Sequence, residues 1–288
     1  MVLVFAAAFV AGHFVKPSAD SDIVDIASSA PEVKEAPNID APIFGDDTER
    51  FVAHRGYSGY APENSIPAFE LAGRMGFWGI ETDISETSDG YFVCMHDDTL
   101  DRMTDGNGEI GDYTFEALEQ YTIDSGNYFR TTENKKIPTF EEYLSICREY
   151  GCVPVIEIKD VRNYDAFMQV ISDSGLINRC IVTGNIEALK EIRTRNSQIP
   201  VMAISYYPAS YSEGLTQIAQ IQENRGVLYN YPQVDGQIIE MLHNQNVLCG
   251  VWTVDDVGTA EAYLGYGADF IVTNEIPARL TTMINTNE

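Results

Sequence analysis

Basic residues are scarce in this sequence. Its 288 residues include 18 lysines and arginines against 44 aspartates and glutamates, which gives a formal net charge of −26. Such a chain repels the phosphates of nucleic acids and of anionic membranes, so we expect no nucleic acid partner. An anionic substrate meets the same repulsion, so arginine, lysine or a bound cation must attract it within the site.

Paired cysteines and glycine-rich phosphate-binding loops are missing as well. The five cysteines are odd in number and form no Cys-X-X-Cys pair, which argues against a disulfide framework and a zinc site. We expect all five to be buried as small apolar side chains: Cys94, Cys147, Cys152, Cys180 and Cys249. Neither GxGxxG nor GxxxxGKS/T follows the first predicted strand, which excludes the usual nucleotide-binding folds.

The chain begins with an apolar run, Val2 to Val15 (VLVFAAAFVAGHFV). This run is shorter than the roughly 20 residues that span a bilayer, and we interpret 1–15 as a signal or anchor segment. A strand or helix of the folded domain is the alternative, because no Lys or Arg precedes the run and no small-X-small cleavage motif follows it. Residues 16–48, rich in Pro, Ala, Ser, Asp and Glu, predict an acidic linker. We therefore expect a secreted or membrane-anchored extracytoplasmic protein whose folded domain is 49–288.

Short apolar runs alternate with helical patterns throughout that domain. Eight runs predict strands at 51–55, 79–84, 153–158, 180–183, 200–204, 226–229, 248–253 and 269–273. Helices are predicted at 66–75, 140–150, 163–174, 186–195, 235–245 and 256–266. Repeated strand–helix units with apolar strands indicate an α/β protein with a parallel sheet, and eight repeats favour a closed (β/α)8 TIM barrel over an open sheet.

One segment interrupts this alternation after the second strand. A turn at 88–90 leads into another apolar run, 91–96, which is typical of a hairpin return. Irregular sequence follows, so we predict a small insertion after the second strand at about 97–136. Loops that follow barrel strands lie on the catalytic face, so this insertion should shape the pocket.

Carboxylates stand on two strands at positions where a barrel normally has Val, Ile or Leu. Residues i and i+2 of a strand point to the same side, so Glu81 projects with Asp83. Glu157 projects with Lys159 in the same way. Three such carboxylates need a partner, and a hard divalent cation, Mg²⁺ or Ca²⁺, fits them. A salt-bridge cluster with Arg55 and Lys159 is the alternative.

Two histidines and two cations stand at the same predicted mouth. His54 lies near the end of the first strand and His96 ends the hairpin return, and near neutral pH one can accept a proton while the other donates one. Arg55 suits bidentate phosphate recognition and Lys159 suits a point contact to a phosphoryl oxygen. Trp252, near the end of the seventh strand, is a further candidate for substrate contact. The set predicts metal-assisted phosphoryl transfer to water or to a substrate hydroxyl.

Six ordered motifs resemble the glycerophosphodiester phosphodiesterase family. They are AHRGYSGYAPENSIPAF (53–69), IETDISETSDGYFVCMHDDTLDRMTDGNG (80–108), IPTFEEYL (137–144), VIEIK (155–159), VWTVD (251–255) and IVTNEIP (271–277). The resemblance implies a TIM barrel with a small insertion, and a metal-dependent hydrolase that cuts a small-molecule or lipid-derived glycerophosphodiester into glycerol 3-phosphate and an alcohol. It implies that Glu81, Asp83 and Glu157 hold the metal, that His54 and His96 transfer protons and that Arg55 and Lys159 contact phosphate. Glu63 and Asn64 lie beside the pocket and are further candidates for substrate binding.

The resemblance leaves one role open and shows two departures from the family pattern. Asn64 or Ser65 could simply cap the helix that begins near Ile66. Asp255 stands where the family often has Asn, and Asn274 where it often has Asp; we expect neither to touch the metal or acid/base residues.

Among activities, a lysophospholipase D-like enzyme and a glycerol-phosphate polymer hydrolase are alternatives. A catalytically inactive barrel that acts as a binding module is the alternative from another class.

Overall fold

The folded domain is a closed barrel of eight parallel strands. The computed structural model describes residues 43–44, 49–123, 135–206 and 210–278. Its strands are β1 (Phe51–Ala53), β2 (Gly79–Glu86), β3 (Phe92–Cys94), β4 (Val153–Asp160), β5 (Ile181–Gly184), β6 (Val201–Ser205), β7 (Arg225–Asn230), β8 (Val247–Trp252) and β9 (Phe270–Thr273). All but β3 are parallel and follow chain order around the barrel, which β9 closes by pairing with β1. The predicted (β/α)8 TIM barrel is confirmed.

Helices cover the outside of the barrel between the strands, and one short helix lies in the insertion. They are α1 (Ile66–Arg74), α2 (Phe115–Leu118), α3 (Phe140–Tyr150), α4 (Tyr164–Asp173), α5 (Ile186–Arg195), α6 (Tyr211–Ile218), α7 (Gly236–His243) and α8 (Val257–Gly265). Most begin at a side-chain cap, and α3 has a full capping box between Thr139 and Glu142. The sequence analysis missed α6, which contains the poor helix former Gly214. A Cβ there would lie 2.9 Å from Val227 Cγ1, so close packing on β7 requires glycine.

Apolar side chains fill the barrel below the carboxylates. Val52, Val155, Met202 and Phe270 belong to one buried interior cluster. At the amino-terminal end of the strands, Trp78 stacks on Phe270 with ring centroids 6.0 Å apart. The polar residues at the opposite end therefore stand on a rigid apolar floor, as is usual for catalytic barrels.

The insertion begins where β3 ends and has a small core of its own. β3 pairs antiparallel with β2, with Cys94 opposite Ile84, which confirms the hairpin. Seven buried residues form the insertion's core: Val93, Met95, Leu100, Ile110, Leu118, Ile123 and Ile137. This core fixes the backbone that follows β3, so charged side chains on it can be held in defined positions.

The predicted amino-terminal segment, 1–15, and nearly all of the linker, 16–48, lie outside the described residues. Ile43 and Phe44 are described, and both pack against the interior cluster of the barrel. Within the described part of the chain, no helix has the length and apolar character needed to cross a membrane. All five cysteines are free and buried, as predicted.

Candidate active site

The carboxyl ends of neighbouring strands bring the predicted polar residues to one cavity. β2 supplies Glu81 and Asp83 and β4 supplies Glu157, and their ligand oxygens all lie within 4.8 Å of one another. His54 follows β1, His96 follows β3, and both line the cavity. Residues that the sequence predicted at separate strand ends thus occupy one site.

The three carboxylates form an unfavourable cluster when no cation is bound. Glu81 is 3% exposed and Asp83 is fully buried. Burial, followed by the charges of Asp83 and Glu157, raises the pKa of Glu81 well above its ordinary value. Burial and the Asp83 charge also raise the pKa of Glu157. Asp83 Oδ1 is buried with no hydrogen-bond partner in the described structure, so a free acceptor faces its acidic neighbours. Such a donor set fits a hard divalent cation.

Asn64 supports the strand that carries Glu81 and Asp83. Its Nδ2 donates to Asp83 Oδ2 at 2.8 Å, and its Oδ1 accepts from Thr82 Oγ1 at 2.8 Å. The residue has φ +50°, which asparagine tolerates better than most side chains. Ser65 is the helix cap, because its side chain accepts from Ala68 N. Asn64 is 1% exposed and its amide contacts Asp83, and its role in substrate binding stays a prediction.

Arg55 and Lys159 hold the carboxylates from two sides. Arg55 N donates to Glu81 Oε2 at 2.7 Å, and Arg55 Nε lies 3.5 Å from Asp83 Oδ2. Lys159 Nζ donates to Glu157 Oε1 at 2.6 Å and lies 3.5 Å from Asp83 Oδ1. Burial alone would lower the pKa of Lys159, but Asp83 and Glu157 raise it well above its ordinary value. Both side chains line the cavity as cations, although each is already paired.

His54 is oriented by Asn274, which corrects the expectation that the two family departures stand clear of the acid/base residues. His54 Nδ1 lies 2.8 Å from Asn274 Oδ1. Asn274 Nδ2 donates to Asp255 Oδ2 at 2.8 Å, and Asn274 N donates to Asp255 Oδ1 at 2.7 Å. The contact arises because the pairing of β9 with β1 places the end of the chain's last strand beside the first. Burial and then Arg55 lower the pKa of His54 below its ordinary value.

His96 is oriented by a carboxylate instead of an amide. Its Nδ1 lies 2.8 Å from Asp97 Oδ1. Asp97 in turn receives two hydrogen bonds from Arg102, at 2.6 and 2.8 Å. Arg102 also donates to Glu63, which accepts from Arg55 at 2.8 Å. Glu63 thus lies beside the pocket, as the family resemblance implied, with its carboxylate held by two arginines.

Aromatic and aliphatic side chains form the other wall of the cavity. Trp252 Nε1 donates to Leu228 O at 3.2 Å, which leaves its ring facing the pocket that it lines. The Tyr206 ring meets Trp252 edge-on at 5.4 Å, and Tyr206 OH donates to Glu157 Oε1 at 3.4 Å. Burial, with the nearby Glu157 charge, raises the pKa of Tyr206 to about 12. The hydroxyl therefore stays protonated at neutral pH as a hydrogen-bond donor.

Sequence reasoning missed the residues that orient the site: Asp97, Arg102, Tyr206, Asp255 and Asn274. Asp97 and Arg102 stand within the quoted family motif, but nothing in their spacing marks which side chain they meet. Tyr206 follows a strand end, where its position alone was the available signal. Apart from Asp97, they act through contacts with segments distant in sequence, such as Arg102 with Glu63 and Asn274 with His54.

Comparison with known proteins identifies the family of the chain. The sequence model of the glycerophosphoryl diester phosphodiesterase family matches residues 54–278. A glycerophosphodiester phosphodiesterase of Caldanaerobacter subterraneus is 28% identical over 243 residues, covering 81% of this chain and 96% of that protein. Human glycerophosphodiester phosphodiesterase 1 is 39% identical over 109 residues, covering 38% of this chain and 33% of that protein.

A solved structure supports the fold independently. The Oleispira antarctica phosphodiesterase in complex with the product sn-glycerol-3-phosphate matches with a TM-score of 0.67 at 23% identity, covering 82% of this chain and 97% of that one. This likeness bears on the barrel, whereas the family match extends over most of the domain and includes every predicted site residue. The chain belongs to the glycerophosphoryl diester phosphodiesterase family.

Proposed function

We propose that the protein hydrolyses glycerophosphodiesters to glycerol 3-phosphate and an alcohol. The observation that carries this proposal is the meeting of three carboxylates, two histidines and two cations in one cavity at the carboxyl end of the barrel. Hydrolysis of a phosphodiester requires that the negative charge of the phosphoryl group be balanced. It also requires that the attacking hydroxyl or water lose a proton and that the departing alkoxide gain one. The cavity offers side chains for both tasks.

A divalent cation, Mg²⁺ or Ca²⁺, is part of the proposal. Glu81, Asp83 and Glu157 would hold it, because their oxygens cluster within 4.8 Å and Asp83 Oδ1 lacks a hydrogen-bond partner among the described residues. Bound there, the cation supplies positive charge for the phosphoryl oxygens. Arg55 and Lys159 add two fixed positive charges at the cavity wall and draw the anionic substrate into an otherwise repulsive field.

His54 is the proposed base. Asn274 Nδ2 donates to Asp255, so its Oδ1 is the atom that accepts the Nδ1 hydrogen of His54. The ring then carries its lone pair on Nε2, where it can take a proton from water or from a substrate hydroxyl. The lowered pKa of His54 keeps this nitrogen unprotonated at neutral pH.

His96 is the proposed acid. Its Nδ1 partner is the Asp97 carboxylate, which fixes the direction of the ring. His96 Nε2 is left to give its proton to the departing alkoxide. The two rings thus differ in the chemistry of their orienting partners, as a pair with opposite tasks requires.

The test is turnover of glycerophosphocholine with added Mg²⁺ or Ca²⁺, measured as glycerol 3-phosphate released. We expect chelation to abolish turnover, and His54→Ala or His96→Ala to lower the rate by about 10²–10⁴-fold. Tyr266→Phe, at an exposed site on the surface, is the matched control. Normal turnover in either histidine variant would remove that residue from the mechanism, and full turnover after exhaustive chelation would remove the metal.

A substrate panel tests the neighbouring activities. Lysophosphatidylcholine stands for a lysophospholipase D-like enzyme, and a glycerol-phosphate polymer stands for a polymer hydrolase. We expect glycerophosphocholine to be cut faster than either. Absence of turnover on all three in the presence of metal would favour the inactive binding barrel over the proposed enzyme.

We also propose that the protein works outside the cytoplasm, secreted or held by residues 1–15. The support is the apolar run followed by an acidic linker. Cell fractionation with an antibody to the barrel tests the proposal. Recovery of the full-length chain in the cytoplasmic fraction alone would contradict it.

A further inference from the structure

Arg102 occupies a central place among the charged residues at the mouth of the barrel. It lies on the insertion, between the buried Leu100 and the buried Thr104. Thr104 holds this turn closed, because its N and Oγ1 both donate to Leu100 O, at 3.0 and 2.8 Å. The backbone at Arg102 is therefore fixed, although its side chain is 46% exposed.

Two carboxylates share the Arg102 guanidinium. Nε and Nη2 donate to Asp97 Oδ2 and Oδ1 at 2.6 and 2.8 Å. Nη2 and Nη1 donate to Glu63 Oε1 and Oε2 at 2.7 and 3.1 Å. The Arg102 hydrogen bonds lower the pKa of Asp97 well below its ordinary value, and they lower that of Glu63 against the effect of burial. Both carboxylates are therefore charged and fixed at neutral pH.

Each carboxylate also contacts a residue that lines the cavity and helps to fix the position of that residue. Asp97 Oδ1, which Arg102 holds, is also the oxygen that lies 2.8 Å from His96 Nδ1. Glu63 Oε1, which Arg102 also holds, accepts from Arg55 Nη1 at 2.8 Å. Arg102 itself does not line the cavity, whereas His96 and Arg55 both do. The planar guanidinium of Arg102 can bind both carboxylates at once, a geometry that a lysine ammonium lacks.

We propose that Arg102 is a positioning residue for phosphodiester hydrolysis, acting on His96 and Arg55 through the two carboxylates it grips. The inference rests on the proposed function. Without the guanidinium, Asp97 and Glu63 lose their common anchor and the His96 ring loses its fixed direction. A misplacement of about 1 Å at a proton-transferring group can lower a rate by about 100-fold.

The experiment compares Arg102→Ala and Arg102→Lys with the wild-type protein on glycerophosphocholine at saturating Mg²⁺. Arg195→Ala is the matched control, because Arg195 also bridges two carboxylates, Asp165 and Glu191, on the outer helices. We expect Arg102→Ala to lower kcat by about 10–100-fold and to raise KM, as His96 and Arg55 lose their alignment. Arg102→Lys should recover part of kcat, and the control should stay within about twofold of the wild type.

A double-variant comparison separates positioning from a general loss of structure. If Arg102 acts on kcat through His96, then adding Arg102→Ala to His96→Ala should lower kcat little further. An unchanged melting temperature in Arg102→Ala checks the fold, and Arg102→Lys carries the test if the alanine variant is unstable. The inference is overturned if Arg102→Ala and Arg102→Lys match the control, or if the effect on kcat persists undiminished without His96. Wild-type inactivity would instead refute the proposed function.

Discussion

Replacing Glu81 by glutamine should stabilise the metal-free protein, although the residue lies in the site. The oxygens of the three carboxylates lie within 4.8 Å of one another. Two unit charges at that distance repel by about 3.5 kcal/mol with an effective dielectric constant of about 20. Arg55 and Lys159 offset much of this repulsion. We expect a net gain of about 1–3 kcal/mol in the free energy of unfolding, or about 2–12 °C in Tm.

The pH dependence of this gain follows from the raised pKa of Glu81. In the absence of metal, the folded state favours the protonated form of the Glu81 carboxyl. The contribution of this carboxyl to the free energy of unfolding is therefore fully present below its unfolded pKa, and it is lost as pH rises through its folded pKa. The Tm difference between Glu81→Gln and the wild type in chelator should therefore grow as pH rises above the ordinary value of 4.5. Added Mg²⁺ or Ca²⁺ should reverse the order, because binding to the folded wild type stabilises it.

Glu86→Gln is the control for this prediction, on the same strand. Glu86 is also buried, but its Oε2 accepts from Arg162 N at 2.6 Å and from Asn163 N at 2.9 Å. Removing its charge weakens charge-assisted bonds, so this variant should be less stable than the wild type. Differential scanning fluorimetry in chelator measures both. If Glu81→Gln lowers Tm as Glu86→Gln does, the carboxylates are not in conflict and the argument for a cation fails.

Three further predictions test how the site and its scaffold are held. Asn64→Ala should weaken metal binding by about 10–100-fold in calorimetric titration, because Asp83 loses its amide partner; unchanged affinity would contradict the bracing role. Asn274→Asp should place a carboxylate on His54 and raise the pKa of that ring, so the acidic fall of kcat/KM should begin at higher pH; an unmoved limb would argue against His54 as base. Thr139→Ala should lower the free energy of unfolding by about 1 kcal/mol in urea titration through loss of the capping box, without changing KM.

The sequence could predict those parts of the site that depend on local periodicity. Glu81 and Asp83 are two residues apart on one strand, and a period of two places both on the same face in any sheet. The strand–helix repeat then predicts the barrel, and the barrel brings β2 and β4 together as neighbours. These steps need no knowledge of distant contacts. They account for the cluster of three carboxylates and for both histidines at the mouth.

The partners that orient the histidines could not be predicted in that way. His54 and Asn274 are 220 residues apart in sequence and meet because β9 closes the barrel on β1. Arg102 reaches Glu63 across 39 residues, from an insertion whose fold depends on its own small core. On such segments the direction of the side chains does not follow a regular period along the sequence. The hydrogen bonds that decide it appear only when both segments are placed.

The two departures from the family pattern, Asp255 and Asn274, have to be interpreted together. Considered alone, Asp255 for Asn and Asn274 for Asp each look like a loss of a preferred residue. In the structure the two side chains share a hydrogen bond of 2.8 Å, so one carboxylate and one amide are still present, with their places exchanged. The amide now faces His54, and the carboxylate lies behind it, where Thr273 Oγ1 also donates to Asp255 at 2.9 Å. The exchange keeps one carboxylate and one amide in the pair and gives His54 a neutral partner. Burial and then the Arg55 charge lower the pKa of that ring, which agrees with its assignment as the base.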